Sequence, residues 1–280
     1  MDRKHLFFCH KWFEDYTCHF HCPDAEIEKN IILKLMHTYR VRENITMIAG
    51  SLGMKEEDVA LLKALAILHD VGRFEQLRGF GSFNDSMTAD HAKLGLKAIN
   101  RSGVLSCLPK KERNLIRKSI WHHNKYQIPV TEKTDVALFS KLIRDADKLD
   151  ILGIVALHFE TRGQYPNQAL DFGLTYELGL TEEVVSDILQ GKMVRIAALK
   201  TLGDLRLMYS SWIFDINFPF TLACIKERGY LERLLADLPM EPDIIPVRDF
   251  LQAYLEKRSL MSISGERERN AHDRSSKGKV

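Results

Sequence analysis

Residues 64–74 read ALAILHDVGRF. An apolar run of helix-compatible residues leads directly into His69 and Asp70, and Gly72 and Arg73 follow. The run continues a stripe that starts upstream. Val59, Leu62, Ala66 and His69 fall on one face by steps of three and four residues, the spacing of a helix with a buried side. His69 therefore stands where the pattern expects an apolar side chain. Asp70 comes next, about 100° around the helix. An unpaired buried carboxylate costs several kcal/mol, so Asp70 on an inward face requires a strong partner.

Four more segments repeat the anomaly. Leu33, His37, Val41, Ile45 and Ile48 share one face, as do His91, Leu94, Gly95 and Ala98. Ile116, Ile120 and His123 line up, and so do Phe139, Ile143 and Asp147, with Asp145 just around the helix beside Leu142. A lone histidine on such a face is usually a core histidine bonded to a carbonyl. Four histidines and two aspartates on five helices satisfy one another best around a cation. Neutral imidazole and carboxylate form the mixed donor set that first-row divalent metals accept. Six donors exceed one tetrahedral site, so two ions with a bridging carboxylate are expected, and Asp70 beside His69 suits the bridge. In the pair His122-His123, His123 continues the stripe and is the preferred ligand, with His122 joining it or lining the pocket.

The rest of the chain supports an all-α fold. β-Branched alternation and Asn-Gly turns are missing. Periodicity places helices at 25–50, 56–71, 90–101, 110–124, 135–159, 181–190, 193–209, 211–228, 229–237 and 246–258. Pro23-Asp24 suits the start of the first of these. Gly72 to Asp90 reads as the longest polar loop, and its part at 78–90 as a lid or a packed connection, with Arg78, Ser82 and Asn84 as candidates to touch a ligand. Residues 1–24 form an aromatic-rich segment, 25–160 the metal-binding domain and 161–260 a helical part packed on it. Residues 261–280 read as a disordered tail.

Composition excludes other classes. The chain has 280 residues, 45% hydrophobic and 28% charged, with a formal charge of +2. The last twenty residues carry five basic and three acidic side chains, so the remainder is neutral. A basic nucleic-acid footprint is absent. The chain contains neither a signal-peptide run nor the roughly 20 apolar residues of a membrane span. Five scattered cysteines do not make a disulfide framework, and the expected location is the cytoplasm. Cys9-His10 and Cys18-His19-Phe20-His21-Cys22 mimic zinc spacing, but lie among Phe7, Phe8, Trp12, Phe13 and Tyr16 and read as an aromatic helix packing on the core. The basic run Lys110, Lys111, Arg113, Arg117 and Lys118 reads as a solvated helix face.

With those residues in view, the sequence resembles the HD-domain superfamily of metal-dependent phosphohydrolases. His37 in HTYRV, His69-Asp70 in LHDVGRF and Asp147 in RDADKLD give its H…HD…D order. His91 in DHAKLG and His123 in HHNKYQIP extend it to the H…HD…H…H…D order of the dinuclear branch. That branch includes HD-GYP cyclic-dinucleotide phosphodiesterases and diiron oxygenases of the inositol-oxygenase and phosphonate-cleaving type. Asn124 stands where the HD-GYP group has an acidic residue, and Gln127-Ile128-Pro129 replaces its Gly-Tyr-Pro signature. This counts against specific cyclic-di-GMP hydrolysis.

The resemblance implies that His37, His69, Asp70 and Asp147 hold a primary metal and that His91 and His123 complete a second. Asp145 is the rival for the late position. Two divalent transition-metal ions are implied, iron, manganese or similar; zinc, nickel, cobalt and magnesium are compatible. The expected reaction is hydrolysis of a phosphate ester of a nucleotide or cyclic nucleotide by a metal-bound hydroxide. Asp70, Arg73 and Lys148 are the catalytic candidates. Arg73 and Lys148 neutralise phosphoryl charge, and Asn124, Lys125 and His122 are further substrate contacts. Two other classes stay open: an HD-type diiron oxygenase, and a metal-bearing ligand sensor without turnover. The implied partner is a small phosphorylated molecule, with no membrane and no specific nucleic acid; a homo-oligomer is compatible.

Overall fold

The computed structural model describes residues 1–85, 87–174, 179–238 and 244–259. The expected tail at 261–280 lies outside them. The described residues are helical with no strand, an all-α fold. None of their helices is long and apolar enough to cross a membrane. The chain divides into two compact units: Met1–Ile154 with Thr161–Gly173, and Val155–Glu160 with Leu174–Val280.

In unit 1 the helices are α1 (Arg3–Thr17), α2 (Ala25–Ser51), α3 (Glu56–Leu68), α4 (Gly72–Phe80), α5 (His91–Ser102), α6 (Lys110–His123), α7 (Thr134–Thr161, of which Val155–Glu160 count with unit 2) and the short α8 (Gln168–Asp171). Asp24 caps α2, its carboxylate accepting from the amides of Glu26 and Ile27 at 3.0 Å each. Helix α2 packs on α3 and α4, α3 packs on α1 and α6, and α5 packs on α4 and α6. The apolar stripes read from the sequence face inward, and Val41, Ile45, Ile48, Leu62, Ala66, Ile116, Ile120 and Ile143 are fully buried. The aromatic N-terminal segment is α1. Its Phe13 meets Phe74 edge-on at 6.0 Å between ring centroids, a geometry worth about 0.5–1.5 kcal/mol beyond burial. Cys9 is buried there too, and burial pushes its thiol up to about 12.

The segment Gly72 to Asp90 differs from the expected loop, because its first nine residues form α4. A bonus of packing overrides the glycines. A Cβ on Gly72 would stand 2.1 Å from the His91 carbonyl oxygen and 2.4 Å from the Gly95 nitrogen. Only glycine permits α4 and α5 to touch backbone to backbone at this seam. The rest of the segment is pinned rather than loose. Gln76 Nε2 donates to Asp85, Thr88 and the Ala89 carbonyl, and Arg73 Nη1 donates to the Phe83 carbonyl. The stretch Thr161–Gly173 stays with unit 1 for a similar reason: Lys29 reaches the Pro166 carbonyl at 2.9 Å and Asn167 reaches Asn30 at 2.9 Å.

Unit 2 contains α9 (Glu182–Leu189), α10 (Leu202–Ser211), α11 (Pro219–Glu227), α12 (Tyr230–Leu235) and α13 at 244–259. Helix α10 packs against α9 and α12, with Leu205, Leu207, Leu231 and Leu234 buried. Two boundaries depart from the sequence reading. The helix expected from 193 starts at Leu202, because Thr201 and Asp204 form a reciprocal capping box there. The helix expected from 211 starts at Pro219, whose ring suits a first helical position and ends whatever precedes it.

Candidate metal centre

Five segments of unit 1 deliver side chains to one point. His37 comes from the middle of α2, His69 and Asp70 from the end of α3, His91 from the first turn of α5, His123 from the last residue of α6 and Asp147 from the middle of α7. All but Asp147 are buried, and Asp147 is nearly so. Their donor atoms form three overlapping trios, each within 4.8 Å: His37, His69 and Asp70; His69, His123 and Asp147; Asp70, His91 and His123. Asp70 divides its oxygens between the two ends. Its Oδ2 lies 3.5 Å from His37 Nε2 and 3.8 Å from His69 Nε2. Its Oδ1 lies 3.3 Å from His91 Nε2 and 3.5 Å from His123 Nε2.

Each imidazole is held by its other nitrogen. His37 Nδ1 donates to Asp150 Oδ2 at 2.7 Å, and His69 Nδ1 to the Ala66 carbonyl at 2.7 Å. His123 Nδ1 donates to the Ile120 carbonyl at 2.6 Å, and His91 Nδ1 to Asp85 Oδ2 at 2.6 Å. Carbonyls and carboxylates only accept, so the proton sits on Nδ1 in all four rings. Every Nε2 then faces the centre, the position a metal ligand needs.

That arrangement leaves a deficit of positive charge. His37 Nε2, His69 Nε2 and Asp147 Oδ1 are buried without a hydrogen-bond partner. His91 Nε2 and His123 Nε2 face each other at 2.9 Å, two lone pairs that tolerate that separation only with a cation or a proton between them. Orphaned buried acceptors are rare, and here they converge. The donor set therefore fits a divalent metal, with nitrogen and oxygen ligands in the mixture first-row ions accept.

Charge follows the geometry. Burial and Lys34 push His37 down, yet the carboxylates of Asp147, Asp150 and Asp70 prevail and raise it to about 9. Burial, reinforced by Arg73, lowers His91 to about 4 despite Asp85. Burial works against the carboxylates of Asp70 and Asp147, but Lys34 and His69 on the first, and His37 and His69 on the second, hold both well below the ordinary range.

The remaining predicted residues fall into place around this core. His122, adjacent to His123, turns to Glu132 Oε2 at 3.0 Å and belongs to none of the trios. Asn124 donates to Asp85 and Asp90, and Lys125 to Asp90. Arg73 spends Nη1 on Gln76, Phe83 and Asp85, while its Nε faces Asp70 Oδ1 at 3.7 Å. Lys148 is buried on α7 beside Asp147. Asp145 is fully buried and outside the trios. Arg78 reaches the His19 carbonyl, and Ser82 accepts from the Asn84 amide.

Four participants escaped the sequence reading. Asp150, itself gripped by Arg40 at 2.6 Å, orients His37. Its signal was present in RDADKLD, one turn after Asp147. Asp85 orients His91 from an aperiodic segment with no pattern to mark it. Lys34 stands on α2 three residues before His37, on the same inward face, and its Nζ reaches Asp70 Oδ2 at 2.7 Å. Arg144 serves the site from behind, its guanidinium collecting the carbonyls of His122, His123, Lys125 and Tyr126 at the end of α6.

Comparison with known families agrees with this geometry. Residues 35–152 match the family model of the HD domain, and all six converging side chains lie inside that range. No curated protein and no solved structure matches the chain.

Proposed function

From an HD domain at residues 35–152 whose helices aim four imidazoles and two carboxylates at one centre, we propose that the protein is a metal-dependent phosphohydrolase acting on a phosphate ester of the nucleotide or cyclic-nucleotide class. HD domains are a superfamily of metal-dependent hydrolase type, and the clustered donors make this one a divalent-metal binder. The observation that carries the finer reading is the division of Asp70, one oxygen toward His37 and His69 and the other toward His91 and His123. It supports two ions, the first held by His37, His69, Asp70 and Asp147, the second by Asp70, His91 and His123. Iron and manganese suit this nitrogen and oxygen set.

Divalent ions in such a centre supply Lewis acidity at a phosphoryl oxygen and acidify a water ligand toward neutral pH. The chain's own residues do the rest. Asp150, Asp85 and the carbonyls of Ala66 and Ile120 keep every imidazole in the ligating tautomer. Asp70 ties the two ends together. Arg73 braces the second end through Asp85. Lys148, next to Asp147, is assigned the charge that accumulates on phosphoryl oxygens during in-line displacement. The nucleotide class follows the motif resemblance.

Elemental analysis of protein purified without added metal should give two ions per chain. Release of product from a panel of nucleotides, cyclic nucleotides and p-nitrophenyl esters should depend on Mn²⁺ or Fe²⁺ and proceed without oxygen. Oxygen uptake by the iron-loaded protein without hydrolysis would replace this reading with a diiron oxygenase, and metal loading without any turnover would replace it with a sensor.

A further inference from the structure

Lys34 is an unusual neighbour for a metal centre. It is 6% exposed, and its Nζ lies 2.7 Å from Asp70 Oδ2. The same oxygen faces the Nε2 atoms of His37 and His69 at 3.5 and 3.8 Å. A divalent ion among these three donors draws on an oxygen that already carries an ammonium. Two cations at one carboxylate oxygen repel, and a lysine on four flexible bonds yields more readily than two histidines locked at Nδ1.

The ligand side chains of His37, His69, Asp70, His91 and His123 are between 0 and 4% exposed. The side chains of Lys34 at 8%, Asp147 at 14% and Arg73 at 15% retain more contact with solvent than these ligands do. The Phe83 ring flanks the ammonium with its centroid 5.2 Å away, and the Arg73 guanidinium stands 5.8 Å from the same ring. Arg73 is committed to Gln76, Phe83 and Asp85 through Nη1. Lys34 is committed to the very carboxylate that a metal would claim.

We propose that Lys34 is a stand-in cation on Asp70 that becomes the contact for the substrate's phosphoryl oxygen once metal takes the carboxylate. The assignment rests on the phosphohydrolase reading, since it supplies the anion. It gives metal and anion opposite responses to one substitution. Removing the ammonium relieves repulsion at the metal and removes attraction for phosphate. A residue that merely props up Asp70 would weaken both when lost.

The test uses the full chain, stripped with chelator, and two probes: Mn²⁺ alone, and inorganic phosphate added to the Mn²⁺-loaded protein. By titration calorimetry Lys34→Met should bind Mn²⁺ about tenfold more tightly and phosphate about tenfold more weakly than wild type. Lys34→Arg, which keeps the charge and covers the case in which the methionine variant does not fold, should retain phosphate affinity within about threefold. An unchanged phosphate affinity in Lys34→Met, or weakened Mn²⁺ binding in a folded variant, overturns the proposal. Loss of phosphate affinity in Lys34→Arg overturns it as well, because charge would then not be the determinant. Failure of the parent reading looks different: wild type would bind Mn²⁺ and phosphate yet hydrolyse no ester, whatever stands at position 34.

Discussion

The two units bury carboxylates for opposite purposes. In unit 2, Asp204 is fully buried and fully answered. It accepts from the amide and hydroxyl of Thr181 at 2.8 and 2.7 Å and from the amides of Lys200 and Thr201 at 2.9 and 3.2 Å. Every partner is an uncharged amide or hydroxyl at the start of α9 or α10, so the group is architectural. In unit 1, Asp147 Oδ1 is buried outside hydrogen-bond geometry and faces the Nε2 atoms of His37 and His69 at 3.2 and 3.6 Å. Burial of polar groups is common to both units. Convergence of unanswered acceptors distinguishes the one that carries the candidate metal centre.

Substitutions sharpen that contrast, and the largest effect belongs to the shared carboxylate. Asp70→Ala should abolish hydrolysis and reduce bound metal below one ion per chain; unchanged turnover would break the assignment. Next comes the histidine pair. His123→Ala should remove one ion per chain and most activity, while His122→Ala loses only the Glu132 contact and should cost clearly less; the opposite order would move the ligand to His122. Asp150→Asn, which keeps shape but weakens the grip on His37, should lower metal affinity or activity about 10–100-fold, read by competition with a fluorescent chelator. Asp204→Ala should leave metal content and specific activity unchanged while destabilising the protein by about 1–3 kcal/mol in urea. Loss of metal from that variant would erase the distinction between the units.

The smallest effect is a drift with pH. His37 is raised from 6.5 to about 9 in the fold. A raised histidine contributes stability that is fully present below its unfolded value and lost as pH rises through its folded value. Protein held in chelator should therefore show a urea midpoint that falls between pH 6.5 and pH 9.5. Metal-loaded protein, in which a cation replaces the proton, should show a smaller fall; identical slopes would mean that His37 does not face the centre.

Much of this was legible in the sequence. The stripes carrying His37, His69, His91, His123 and Asp147 are helical periodicity interrupted by ionisable groups, and periodicity survives in one dimension. Helix α4 was not legible, because Gly72, Gly79 and Gly81 break its pattern and packing against α5 restores it. The back helices were legible in existence and order but not in their length or their starts, which Thr201 and Pro219 set locally. Asp85 was hidden because its role depends on a fold of the chain between two helices, not on a repeat. Lys34 was hidden because a lysine among apolar neighbours reads as a solvent-seeking side chain; only Asp70, 36 positions away, explains its burial.

The seam between Gly72 and Gly95 reaches further than packing. Gly72 follows Asp70 by two residues, and the opposite lip of the seam begins with His91. With no room at Gly72 for even a methyl group, the two ends of the donor set are held at close backbone contact. Backbone contact between two glycines that are not themselves donors thus sets the distance between the helix end that carries His69 and Asp70 and the helix start that carries His91.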